Sequence, residues 1–182
     1  LPSEWLIDLF RAMGSIFCMP DPLFGGLLFL SIAIVSPLLP VLLATGFAIG
    51  FSWESVLHLH GPASHSTHYF NYSLTFTALA IVFLAPTRKS LVLAFVATVL
   101  TSLITLASMS YWEIFRIPIV PFAFNITVLI SLRAIRWLMP GQLLSTYAGN
   151  PEATLERARL YRLRQRSGEI GLICPFQETW AI

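Results

Sequence analysis

Charged residues divide this chain into long uncharged blocks: none falls in 22–53, 55–87, 90–112 or 117–132. A helix needs about 20 apolar residues to cross a hydrocarbon core, and each block is long enough, or nearly so. Residues 3–19 read as an amphipathic or half-membrane helix. Ser3 is placed to cap it, Glu4 lies at its positive end, and Pro20-Asp21-Pro22 stops it. Residues 23–35 and 38–51 are apolar runs parted by Ser36-Pro37, and read as two short helices or one kinked span. A polar loop with Gly61-Pro62 and four histidines follows over 52–68. Three further spans are expected over 69–85, 90–109 and 117–132, the last broken at its start by Pro118 and Pro121. Tyr111 and Trp112 sit where an aromatic belt at the membrane surface would lie.

Composition turns this pattern into a class. Of the 182 residues 56% are hydrophobic and 11% charged, against roughly 45–50% and about 25% in an average soluble domain. The expectation is an all-α, polytopic integral membrane protein, which excludes a soluble globular enzyme and a disordered chain. A net charge of +2 without a basic stripe gives no reason to expect nucleic acid. Cys18 and Cys174 form neither a disulfide framework nor a zinc motif.

Basic residues orient the spans, because lysine and arginine in short flanking loops favour the cytoplasm. Arg88 and Lys89 are placed inside; two crossings later Arg133 and Arg136 stand inside again, and the histidine loop falls outside. The chain divides into a membrane repeat, 1–137, and a basic cytoplasmic helix and linker, 138–182. The second part starts its helix at Asn150-Pro151-Glu152 and carries Leu155, Leu160 and Leu163 as a partial apolar stripe.

Candidate chemistry is sparse. His58, His60, His65 and His68 have spacings that could hold a metal, with Glu54 alone to complete a set, but the favoured reading is a hydrophilic external loop. No ionisable group is expected within the membrane. That argues against a proton-coupled pump and for passage of a neutral solute, which needs hydrogen-bond partners and shaped apolar walls. Broken helices at membrane depth, as at 117–124, are tolerated where their backbone is buried or lines a cavity.

Three stretches resemble the urea transporter family. Residues 14–28, from Gly14-Ser15-Ile16-Phe17-Cys18 through Asp21-Pro22-Leu23-Phe24-Gly25-Gly26-Leu27-Leu28, are similar to its pore-helix segment. Tyr69-Phe70-Asn71-Tyr72-Ser73-Leu74 is similar to its aromatic-Asn-x-x-Leu stretch, and residues 117–124, with Pro118, Pro121, Phe122 and Phe124, to its LPxxTxPF signature. The resemblance covers about 14–132, one of the family's two homologous repeats. It implies a channel-like slot passing urea or a similar small neutral solute down its gradient, with no cofactor and no covalent chemistry. It also implies a homotrimer in a lipid bilayer, expected to be a bacterial inner membrane. Ser15, Phe17, Cys18, Phe70, Asn71, Leu74, Pro118, Pro121, Phe122 and Phe124 are the implied solute-binding residues.

The departures fall at polar positions. Ser15 replaces glutamine or glutamate, Cys18 a wall phenylalanine, and Pro121 and Ala123 the signature threonine and second proline. They define the alternative, a degenerate repeat serving as a membrane anchor for a following domain. Pro151-Glu152-Ala153-Thr154-Leu155 and Pro175-Phe176 with Trp180 resemble the stretch that leads into a metallopeptidase domain in some bacterial chains. A membrane subunit of an ion-pumping oxidoreductase would need flavin attachment or charged pathway residues that the sequence does not offer. One repeat builds half a pore, and the chain begins at Leu1, so a piece of a longer transporter is expected rather than a dual-topology dimer.

Overall fold

The computed structural model describes residues 2–57, 67–84, 86–115 and 121–138, and positions 155, 156 and 159 of the tail. Its α-helices are α1 (Pro2–Ser15), α2 (Pro22–Val35), α3 (Leu38–Val56), α4 (Phe70–Thr77), α5 (Arg88–Phe115) and α6 (Phe122–Leu138), and a π-helical turn, Ala78–Val82, extends α4. The all-α expectation therefore holds for the described residues. Among the described residues two helices, Leu38–Val56 and Arg88–Met109, are long and apolar enough to cross a bilayer.

Helix α1 ends earlier than the prolines suggest. Met19 N–H bonds to the Gly14 carbonyl at 3.1 Å and Cys18 N–H to the Ser15 carbonyl at 3.0 Å, while Cys18 has φ 59°. This is the Schellman stop, with cysteine in the left-handed position usually given to glycine. Asp21 then starts α2: its Oδ1 accepts from the amides of Leu23 and Phe24, both at 2.9 Å, and Pro22 occupies the first turn. Ser36, in extended backbone at φ −151° and ψ 104°, separates α2 from α3, which resolves that run into two helices.

Helix α3 runs on to Val56, so residues 52–56, expected in the polar loop, are helical and bring Glu54 into the bundle. Gly46 and Gly50 let α4 approach closely. A Cβ on Gly46 would lie 2.7 Å from the Tyr72 carbonyl oxygen, and one on Gly50 would lie 2.0 Å from the Tyr72 ring. The span expected over 69–85 is a 3-10 turn at 67–69, then α4, then the π turn, in which Phe83 N–H bonds the Ala78 carbonyl at 2.9 Å. Thr87 and Ser90 cap α5 reciprocally, the Ser90 amide on Thr87 Oγ1 at 3.2 Å and the Thr87 amide on Ser90 Oγ at 2.8 Å.

Two apolar clusters hold the helices together. One joins Leu9, Ala12 and Met13 of α1 to Leu43 and Phe47 of α3 and to Tyr69, Phe70 and Tyr72; the other joins Phe76 and Leu79 to Ala94 and Ala97 of α5 and Val128 and Ile135 of α6. Hydroxyls inside the bundle bond mostly to their own helices: Thr98, Thr101 and Thr105 each donate to the carbonyl four residues back at 2.8–2.9 Å. Outside, Leu23, Ile34, Val56, Val92, Leu129 and Trp137 are all more than half exposed, as side chains facing acyl tails would be. In the tail, Leu155, Glu156 and Arg159 are helical and exposed; the rest of the expected basic helix, Cys174 and the peptidase-like stretch lie outside the described residues.

Candidate functional site

The aromatic-Asn-x-x-Leu stretch runs from the residue before α4 into its first turns, where nearly every described side chain is buried. Phe70 and Asn71 are sealed from solvent and Leu74 is half-buried. Asn71 sits where α4 meets α6. Its Nδ2 donates to the His68 carbonyl at 3.3 Å, and its Oδ1 accepts the Phe124 amide at 3.3 Å. One side chain thus ties two motifs that are 53 residues apart in sequence. The Phe124 amide needs an acceptor because the first amides of a helix have none within it. Pro121, whose carbonyl takes the first α6 bond from the Asn125 amide at 3.0 Å, has no side-chain acceptor to offer.

Near the end of α1, Met13 and Ile16 share an apolar cluster with Phe70 and Leu74. The implied pore-helix residues are arranged differently. The Ser15 hydroxyl donates to the Arg11 carbonyl at 2.7 Å, closing its own helix. Cys18 and Phe17 are exposed, and the Phe17 ring meets Phe24 edge-on at 6.2 Å. On the signature side Phe124 is half-buried against the second cluster, while Pro121 and Phe122 are exposed. Pro118 lies outside the described residues.

A described groove of about 760 Å³ lies elsewhere, between α1, α2, α3 and α5, and is lined by Trp5, Phe29, Val41, Trp53, Phe95 and other mostly apolar side chains. No implied solute-binding residue lines it.

The family model described as Urea transporter matches residues 2–135. The chain belongs to the urea transporter family. It is therefore a helical integral membrane protein of a channel-type transporter family, one that carries urea-like solutes. Among curated proteins, none matches the chain.

This urea transporter family member corrects the expectation of an interior without ionisable groups. Glu54, in the last turn of a candidate membrane span, is 1% exposed, and its Oε1 accepts from His68 Nε2 at 2.9 Å and from the Tyr72 hydroxyl at 2.5 Å. His68 was expected in a hydrophilic loop and is instead 2% exposed, its ring packed on Tyr69 at 4.3 Å. Burying a carboxylate is costly unless it is hydrogen-bonded, and the phenol and, in its Nε2–H tautomer, the imidazole supply donors to Oε1. His58, His60 and His65 lie outside the described residues. Among the described residues no three metal-ligating side chains converge.

Sequence reasoning missed this cluster although two signals were present. Glu54 is the lone charge between two uncharged blocks, and His68 and Tyr72 stand four residues apart, on one face of a helix.

Proposed function

We propose that this chain contributes one wall of a passive, channel-like path for urea or a similarly small neutral solute. The half-buried Leu74 and Phe124 form the apolar side of that wall with Phe70 packed behind them, Phe17, Cys18, Pro121 and Phe122 flank it, and Pro118 joins the proposal only through its place in the signature. The observation that carries the reading is the Asn71 bridge to the Phe124 amide, because it keeps the two motifs side by side at the buried meeting of α4 and α6. The facing wall comes from a second repeat in inverted orientation, the arrangement by which repeat-built transporters place their sites at mid-membrane. The remaining parts of the proposal are a trimer in a bacterial inner membrane, with residues 1–137 as the membrane repeat and 138–182 as a cytoplasmic helix and linker.

Swelling of proteoliposomes under a urea gradient tests this, using the full-length product of the reading frame. Leu74→Trp is expected to lower urea flux to the level of empty liposomes while insertion is retained. Flux at that level in the folded parent protein would exclude the channel reading.

A second reading has its own support. Pro121 carries no side-chain acceptor, and Ser15, whose hydroxyl donates to the Arg11 carbonyl, keeps only the lone pairs of one short oxygen, so the side-chain part of a urea ladder is reduced at these two positions. On that reading the repeat is a membrane anchor for a following domain, with a metallopeptidase domain as the candidate. The same swelling assay separates the two.

A further inference from the structure

Glu54 and His68 are not explained by a slot for a neutral solute, and burying them is expensive. An apolar pair of similar volume would hold α3 against α4 at least as well as a buried carboxylate with its donors. What an apolar contact does not fix is angle, whereas a hydrogen bond weakens steeply away from its preferred geometry. Glu54 Oε1 takes donors from His68 and Tyr72, one helical turn apart, and so fixes both the rotation and the axial position of the start of α4.

Asn71 lies between those two residues. From there its side chain is bonded on one side to the His68 carbonyl and on the other to the Phe124 amide, each at 3.3 Å. A rotation of α4 by one residue, about 100°, would carry Asn71 away from α6 and take its acceptor from the part-buried Phe124 amide. The bonds therefore form a continuous line from the end of α3, through the turn before α4, to the head of the signature helix.

We propose that Glu54 and His68 are positioning residues of the permeation path. Acting through Asn71, they hold the head of α6, with Phe124, at a fixed offset from Phe70 and Leu74. The proposal rests on the reading of these side chains as the wall of the path. Neither residue touches solute in this account; both set the width between the two motifs that do.

The test uses the full-length protein, with two readouts in Glu54→Leu, Glu54→Gln and His68→Leu. The first is urea flux per folded, inserted molecule. The second is the amide resonance of Phe124 in protein labelled with 15N-phenylalanine, assigned by its loss in Phe124→Tyr. Loss of one oriented hydrogen bond corresponds to about tenfold, so Glu54→Leu and His68→Leu are expected to lower flux per molecule by about that factor. Both are also expected to shift the Phe124 resonance, and Glu54→Gln, which keeps an acceptor oxygen, to restore flux and resonance toward the parent. Folded Glu54→Leu with parental flux and an unmoved Phe124 resonance would overturn the proposal. Should Glu54→Leu fail to insert, His68→Leu measured against Glu54→Gln makes the same comparison. If the parent carries no urea, the channel reading fails by itself, and the Phe124 resonance still decides whether Glu54 and His68 set the position of α6.

Discussion

Cys18 shows how one residue can be held in a conformation its own chemistry disfavours. Its φ of 59° closes the Schellman turn after α1, a geometry that costs a non-glycine residue about 1–2 kcal/mol. Allowing for the extra freedom glycine loses on folding, Cys18→Gly is expected to stabilise the protein by about 0.5–1 kcal/mol. A higher denaturation midpoint in detergent is the measurement. Gly50 has the opposite character. A methyl group there would sit 2.0 Å from the ring of Tyr72, whose hydroxyl is tied to Glu54, so the ring has nowhere to retreat. Overpacking of this kind costs about 1–3 kcal/mol, and Gly50→Ala is expected to lower the same midpoint. An unchanged midpoint would mean that α3 and α4 separate more easily than their hydrogen bonds suggest.

Among the elements, α2 depends most visibly on one local device. Asp21 Oδ1 holds two amides of the first turn, and the helix it starts packs Gly25, Phe29 and Ile32 inward while leaving Leu23, Leu27, Leu30 and Ile34 exposed. Asp21→Ala is expected to cost about 1 kcal/mol. Hydrogen exchange should speed up in α2 and leave the buried amides of α4 unaffected; equal acceleration in both would show that the cap supports the whole bundle. Helix α4 is built differently. At eight residues it is too short to be stable alone, and it persists because α3, α5 and α6 enclose it on several sides. Enclosure of that kind allows an asparagine to be spent on another helix's amide rather than on solvent.

For the whole molecule, the arrangement of basic residues makes a topological statement that can be tested separately from transport. Lys89 follows the π turn, and Leu57 follows α3 on the opposite side of the membrane in the proposed orientation. In a Cys18→Ser, Cys174→Ser background, which removes both native thiols, Leu57→Cys is expected to react with an impermeant maleimide in intact cells, and Lys89→Cys only after permeabilisation. Labelling of both from the same side would reject the orientation assigned from the arginines, and with it the outward position of the Glu54–His68 cluster. The outer surface is as telling as the interior. With Val92, Leu129 and Trp137 more than half exposed, the molecule keeps these apolar side chains for its surroundings, while most described hydroxyls bond within their own helices and Glu54, His68, Tyr72 and Asn71 bond across the seams.

The sequence by itself determined the class and the family. Uncharged blocks of membrane length require helices whose backbone bonds are satisfied internally, and three motifs in order marked the urea transporter repeat, whose family match spans residues 2–135. Local chemistry was legible in part: Pro20-Asp21-Pro22 marked the end of the first helix, whereas the role of Asp21 as the cap of α2 came from the structure. Tertiary structure decided what depended on a distant partner. Residues 52–56 looked like loop because a glutamate at the end of an apolar run is costly unless it is bonded, and its donors, His68 and Tyr72, lie across a loop. The Ser15 hydroxyl donates to the Arg11 carbonyl four residues back, a partner that only the helical backbone brings within reach. Asn71 was legible as part of a motif, but its role in capping α6 follows only once Pro121, which has no side-chain acceptor, is brought beside it. Local sequence sets which groups need a partner; the fold alone decides which partner comes within 3.3 Å.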